Sequence, residues 1–358
     1  MNFDFKYFTF KKNDSLLKKN MNKKRTINNI IQNKNSFKKI SIYSRKKFIN
    51  DVMTKIKKLS LLILLIIIIN IKATRIFSPH LKYPKNIKDV KVGLCAIGKK
   101  ENLYVQEYVK HYKNIGYNHI FLYDNNDIGD EKLEDVLYNE VNSGFVTIIN
   151  KRGIKNQQGI SYKDCYEKNK KEYDWLSFFD MDEFLFIKHN KTVQEFLSDE
   201  KYKKCMTVKV NWLFYTDNDL VYYENKPLNE RFTTYRLDYF PNIHIKSTVR
   251  GNLSWNYWSS LNNPHTSTVR YLTCNSLGQK IKFDTPFNPP NYDFAYIKHF
   301  STKTIEEFCN KVRRGYVSRD FQLNKKNWAK RFNNFFMLNK KTKEKLDYIK
   351  SKFQIDLS

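Results

Sequence analysis

Between Lys91 and Phe179, four short apolar runs alternate with stretches of helical period, and that alternation leaves few possible architectures. The runs are Lys91–Ile97, His119–Tyr123, Phe145–Ile149 and Trp175–Phe179. Short apolar runs bounded by polar residues or glycine predict buried strands. Val105, Tyr108, Val109 and Tyr112 recur at helical spacing on one face, and Gly116 is placed to end that helix. Ser161 to Lys171 predicts another helix. The order β-α-β-α-β-α-β implies an α/β fold with a mostly parallel sheet and helices on its faces. Open sheets of this kind bind ligands outside the carboxyl ends of their strands. Three polar clusters are predicted there: Lys99–Glu101, Asp124–Asn126 and Asp180–Glu183.

The third cluster carries the clearest chemistry. The strand Trp175–Phe179 stops at Asp180, Asp182 and Glu183 within the stretch Trp-Leu-Ser-Phe-Phe-Asp-Met-Asp-Glu-Phe-Leu. Two aspartates two residues apart, on a turn at a strand end, are able to address one hard cation, and such a cation bridges phosphate oxygens. The plain alternative is an acidic turn that solvates a strand end, just as Asp124-Asn125-Asn126 reads equally as an Asx turn.

The net charge of +29 is concentrated at the chain ends: residues 1–58 hold 17 Lys and Arg against 3 Asp and Glu, and residues 321–358 hold 10 against 3. No zinc-finger spacing, RNP-like aromatic box or basic zipper accompanies this charge, so no nucleic-acid partner is expected. Residues 1–55, rich in Lys and Asn, are expected to be a disordered basic cytoplasmic tail. Residues 56–73, with an apolar run from Leu59 preceded by Lys55, Lys57 and Lys58, are expected to be a single membrane anchor. The rest then forms a type II protein with a stem at 74–89, a lumenal domain at 90–320 and a basic terminal helix or tail at 321–358. Asn190-Lys-Thr192 and Asn252-Leu-Ser254 are glycosylation sequons in such a compartment. The five cysteines form no Cys-x-x-Cys, which argues against structural zinc. Cys95 and Cys205 lie in apolar runs and are expected to be core residues rather than disulfide partners.

The stretches Val92-Gly-Leu-Cys-Ala-Ile-Gly-Lys-Lys-Glu101, His119-Ile-Phe-Leu-Tyr-Asp-Asn-Asn126 and Tyr173 to Leu185 resemble glycosyltransferases of the GT-A fold, of the family 2 and family 92 kind. Asn211-Trp-Leu-Phe-Tyr215, Asn263-Pro-His-Thr266 and Lys298 to Lys303 are similar to that family's later landmarks. The resemblance implies a Rossmann-like, nucleotide-sugar-binding mixed sheet with helices on both faces. It implies sugar transfer from a nucleotide-sugar donor, a UDP-sugar favoured, to a glycan or protein-linked acceptor hydroxyl, with Mn²⁺ or Mg²⁺ and with inversion. Asp180 and Asp182 take the metal–diphosphate role in this reading, with His299 and His265 as further ligand candidates. Glu101, Asp124 and Asn126 face the nucleotide, Gln158 lines the same pocket, and Lys246 and Arg250 hold phosphate oxygens. Inversion requires a general base. Asp217 follows the aromatic stretch Trp212–Tyr215 and is preferred, with Glu183, Asp219 and Glu230 as alternatives. A nucleotidyltransferase uses the same paired carboxylates, and a non-catalytic basic membrane- or nucleic-acid-binding protein is the third reading.

Overall fold

The computed structural model describes residues 32–34, 42–68, 86–253, 264–266, 272–315 and 325–354. The chain divides into two compact units, Met1–Ser78 and Pro79–Ser358. In the first, residues 42–68 form one helix (α1). It begins well inside the stretch whose composition predicts a tail, so the described part of that tail is helical rather than irregular. Its last eight residues are apolar, but four charged residues lie within the last eighteen. Among the described residues no helix is long and apolar enough to cross a membrane. The end of the expected anchor, 69–73, and the expected stem up to residue 85 lie outside the described residues.

The second unit is a mixed α/β domain. Its strands are β1 (Val92–Gly98), β2 (His119–Asp124), β3 (Val146–Asn150), β4 (Trp175–Phe178), β5 (Glu183–Ile187), β6 (Thr207–Phe214), β7 (Ile245–Arg250), β8 (Thr273–Asn275), β9 (Lys280–Ile281) and β10 (Ala295–His299). Its helices are α2 (Asn102–Asn114), α3 (Tyr138–Asn142), α4 (Gln158–Asn169), α5 (Val193–Leu197), α6 (Leu228–Arg231), α7 (Ile305–Arg314), α8 (Lys325–Leu338) and α9 (Lys343–Phe353). The sheet order is β3-β2-β1-β4-β7-β6-β10-β5, with β8 paired to β6 and β9. β1 to β4 are parallel, as the alternation predicts, and β4 to β7 is antiparallel. β1 has β2 on one side and β4 on the other, so the strand order reverses between β1 and β4. Such a switch point leaves a crevice at the strands' carboxyl ends.

The chain reaches the far branch of the sheet directly after β4. β5 pairs with β10 and not with its sequence neighbour β4. Asp180–Asp182 is therefore the link between two branches of one sheet, an arrangement the apolar pattern of 175–185 does not reveal. Buried tyrosines on the predicted face of α2 hold this link from below. Tyr108 Oη donates to Phe179 O at 3.2 Å and Tyr112 Oη to Glu183 O at 2.7 Å. Gly98 ends β1 where Met181 packs: a Cβ there would lie 2.5 Å from Met181 Sδ, so a larger residue would have to displace the end of the Met181 side chain.

Thr192 and Thr304 cap α5 and α7 through boxes closed by Glu195 and Glu307. Ile305, Phe308 and Val312 of α7 pack with Trp328, Phe332 and Phe335 of α8 and with Tyr348 and Ile349 of α9. The C-terminal segment is thus part of the packed domain rather than an appended tail, because its aromatics supply one side of this cluster.

The cysteine expectation is overturned. Cys95 is bonded to Cys165 and Cys205 to Cys274, and only Cys309 is free. All four bonded residues are fully buried or nearly so, so their apolar setting concealed the pairing. Each bridge closes a loop of about 70 residues, and each is expected to contribute about 2–4 kcal/mol. Calorimetry with and without reductant checks this; an unchanged Tm would show that the bridges do not form.

Candidate active site

A cavity of about 330 Å³ opens at the β1/β4 switch point. Ile97, Gly98, Lys99 and Glu101 line it from the end of β1, Asp180 to Asp182 from the link, and Trp212 and Phe214 from β6. His299, from β10, closes one side. The register explains how residues so distant in sequence meet: His299 pairs with Glu183 across β10/β5 and with Phe214 across β10/β6.

Asp182, Glu183 and His299 are all buried, and one ligand atom from each lies within 4.8 Å of the others. His299 Nε2 is 3.6 Å from Asp182 Oδ1. Burial pushes the His299 imidazole down, with Asp182 opposing, so the ring is neutral at neutral pH and keeps a lone pair for a ligand. Burial alone would raise the Asp182 carboxyl, yet Lys311 and His299 hold it well below the usual carboxylate range. Glu183 is pushed well above that range by burial; Lys246 opposes this, but Asp180 and Asp182 add to it. Glu183 Oε1 and His299 Nδ1 are buried without a hydrogen-bond partner. Two carboxyl groups, of which Glu183 would give up its proton on binding, and a neutral imidazole form a donor set suited to a divalent ion such as Mn²⁺. The orphaned oxygen and the excess of buried acid both favour added positive charge, so the residues present fit a cation.

The three ligand-type residues that converge are not the pair suggested by the spacing. Asp182 and His299 are among them, as expected, and Glu183 joins as a third. Asp180 lines the same cavity, but its carboxylate is already engaged: Gln158 Nε2 at 3.0 Å, Tyr162 Oη at 2.8 Å and Lys246 Nζ at 2.7 Å all donate to it. Gln158 and Tyr162 are one turn apart on α4, which aims both at one oxygen. Lys246 is fully buried, and its ammonium also lies 3.2 Å from Glu183. It serves the carboxylates rather than a phosphate. His265 lines the cavity with its Nδ1 donating to Ile245 O at 2.7 Å; burial pushes its pKa down to about 3.

Other expected residues stand elsewhere. Arg250 pairs with Trp175, at the opposite end of β4 from the cavity, and caps carbonyls of Cys205 and Tyr202 while stacking 4.2 Å above the Trp175 ring. Strand direction alone removes it from phosphate binding. Asp217 is bound to Lys345 at 2.5 Å, and its amide donates a hydrogen bond to Asn339 Oδ1 at 2.7 Å, so it anchors the C-terminal helices and does not line the cavity. Asp219 shares the same lysine, and Glu230 is exposed on α6. Asp124 is buried behind the cavity wall, accepting from Asn126 N, Leu133 N and Arg152. Asn126 accepts from Lys100 N at 2.6 Å and shapes the loop after β1. Neither is among the residues that line the cavity.

Sequence reasoning missed the cationic wall. Lys311 and Arg314 of α7 and Arg331 of α8 line the cavity. Lys311 Nζ lies 2.5 Å from Asp182 Oδ2 and donates to Ser301 O at 2.9 Å. Arg314 pairs with Glu101, whose second carboxylate oxygen is buried without a partner. The available signal was the i, i+3 spacing of Lys311 and Arg314 on one helix face.

An acid-lined crevice at the switch point of a mixed sheet, walled by cations, defines an α/β protein built to hold a charged ligand at its strand ends. The model of glycosyltransferase family 92 matches residues 88–313, and the chain belongs to that family. A glycosyltransferase family 92 protein of Oryza sativa subsp. japonica is 28% identical over 111 residues, which span 31% of this chain and 18% of the rice protein. The match thus covers less than a fifth of that relative's length. The crystal structure of S. aureus TarS aligns over 74% of this chain and 46% of its own, at 12% identity and a TM-score of 0.30, too loose a match to define the fold further.

Proposed function

We propose that the chain is a metal-dependent GT-A glycosyltransferase that moves a sugar from a nucleotide-sugar donor, a UDP-sugar favoured, to a hydroxyl of a glycan or protein-linked acceptor, with inversion. The observation that carries this reading is the convergence of Asp182, Glu183 and His299, two of which line the cavity, with Lys311 and Arg314 of α7 lining it as well. Asp182, Glu183 and His299 would hold Mn²⁺ or Mg²⁺. When bound, the ion neutralises charge on the departing diphosphate. Lys311 and Arg314 supply fixed positive charge to the same leaving group from α7. Asp180, immobilised by Gln158, Tyr162 and Lys246, holds the link in place and contributes negative charge. Glu101, on the β1 side, has one oxygen available to the nucleotide. Trp212 and Phe214 line the cavity with apolar rings and limit water there. Of the bases considered, Asp217, Asp219, Glu183 and Glu230, none lines the cavity itself; Glu183 directly follows Asp182, which does.

Donor hydrolysis tests the reading: a panel of nucleotide sugars with Mn²⁺ should release free nucleotide, and no release with any donor would reject it. Lys311 gives a second measurement, because its ammonium competes with a divalent ion for Asp182. Lys311→Met is expected to tighten Mn²⁺ binding without nucleotide by about tenfold. Calorimetric titration with Mn²⁺ alone checks this; unchanged or weaker binding would place the ion elsewhere.

The two disulfides suit an oxidising compartment, consistent with a lumenal domain attached to a membrane through residues 56–73. Mapping Cys95–Cys165 and Cys205–Cys274 in alkylated protein taken directly from cells tests that placement; finding those thiols reduced would oppose it.

A further inference from the structure

An unbroken aromatic strip leaves the cavity and reaches solvent. The His299 and Trp212 rings are 4.4 Å apart, Trp212 stacks on His244 at 4.8 Å and 19°, and His244 meets the edge of Phe287 at 4.7 Å. Burial falls along the strip, from His299 at 7% exposed to Phe287 at 43%. Phe214 and Tyr239 run beside it, and Phe240, next to Tyr239 in the chain, is 72% exposed. The backbone explains the arrangement: β6 places Trp212 and Phe214, and a bridge pairs His244 with Phe287.

We infer that this strip is an extended acceptor subsite that stacks consecutive units of a neutral oligosaccharide, beyond the unit whose hydroxyl reacts. This rests on the proposed sugar transfer and says which way the acceptor leaves the centre. Aromatic faces exposed to water are favourable only when covered, and the apolar face of a sugar ring covers them without demanding charge. None of Trp212, His244, Phe287, Tyr239 and Phe240 carries a charged side chain at neutral pH, which favours a neutral ligand over a phosphorylated or acidic one. Polar capacity accompanies the rings. His244 Nδ1 donates to Pro241 O at 2.9 Å, so its Nε2 is the acceptor nitrogen, and burial keeps that ring neutral. A sugar hydroxyl is the complementary donor. Continuity with the site argues for a chain of sugars rather than a separate ligand, since Trp212 belongs both to the cavity lining and to the strip.

The test uses the folded protein without donor and compares glucose, galactose and mannose with cellotetraose, mannotetraose and lacto-N-tetraose by saturation-transfer NMR and calorimetry. At least one tetrasaccharide should bind more tightly than its monosaccharide. Phe287→Ala should weaken that tetrasaccharide about five- to tenfold and leave monosaccharide binding unchanged. His244→Ala serves as the second variant and should act in the same direction. Absence of tetrasaccharide binding, or equal loss for both ligand lengths, would overturn the inference. A Phe287→Ala variant that loses liposome binding but keeps tetrasaccharide affinity would assign the strip to a membrane surface and also overturn it. Donor hydrolysis by the wild type, followed separately, distinguishes the two readings: oligosaccharide binding without hydrolysis retains the subsite and rejects the transferase.

Discussion

Asp182→Asn is expected to lower sugar transfer by about 10²–10³-fold or more, the loss that follows removal of one charge-stabilising contact at a reacting group. The substitution keeps the shape of the side chain and removes its charge. Asp182 touches His299 on one side and Lys311 on the other, so it is the point where the candidate ion ligands and the cationic helix meet. Its main-chain carbonyl accepts from Phe300 N at 2.9 Å and is untouched by the change, so the β5/β10 pairing should persist. Far-UV circular dichroism should therefore match the wild type while Mn²⁺ affinity and transfer fall together. Full turnover in the folded variant would remove Asp182 from the mechanism. The same change at Asp180 should cost less in Mn²⁺ affinity, because three protein donors already occupy that carboxylate.

Glu307→Gln is expected to cost about 3–5 kcal/mol, the usual penalty for leaving one partner of a buried ion pair unpaired. Glu307 receives both terminal nitrogens of Arg231, at 2.9 and 3.1 Å, and the Tyr104 hydroxyl at 2.8 Å. It also closes the cap of α7 by accepting from Thr304 N and Oγ1. One carboxylate thus fastens α7 to α2 and α6, and α7 carries Lys311 and Arg314 into the cavity. For a domain of this size the loss amounts to a Tm drop of about 10 °C. Burial pushes the Glu307 carboxyl up, but Arg231 and Lys303 pull it down further, to below its ordinary value. A lowered folded value means the stabilisation is complete above the unfolded carboxyl pKa of about 4.3 and is lost as pH falls below it through the folded value. The Tm gap between wild type and Glu307→Gln should therefore be constant near neutrality and narrow in acid. A gap that widened in acid, or a variant with wild-type Tm, would show that the pair does not hold the helix.

Much of this site was legible in local sequence, and the rest was not for identifiable reasons. The tyrosine face of α2 and the strands of the parallel half follow from periodicity, which depends on residues a few positions apart. The caps of α5 and α7 are visible for the same reason, since a capping box spans four residues. The strand-end carboxylates are visible because an apolar run that stops at charge is itself a local signal. His299 was one of two histidine candidates, and what selects it is the register of β10 against β5, over a hundred residues away in sequence. Asp217 looked suitable beside an aromatic stretch, yet a lysine on the last helix claims it. Arg250 looked suitable in a basic strand, yet the antiparallel direction of β7 carries it to the wrong end of the sheet.

The chain by itself determined an α/β domain with acidic residues at a strand's carboxyl end, because side-chain periodicity and turn chemistry act over a few residues. Tertiary structure alone decided which acids, histidine and lysines share one cavity, and that Cys95 and Cys205 are bridged. Those pairings depend on strand register, strand direction and helix docking between segments some 70 to 130 residues apart, and no local pattern encodes them.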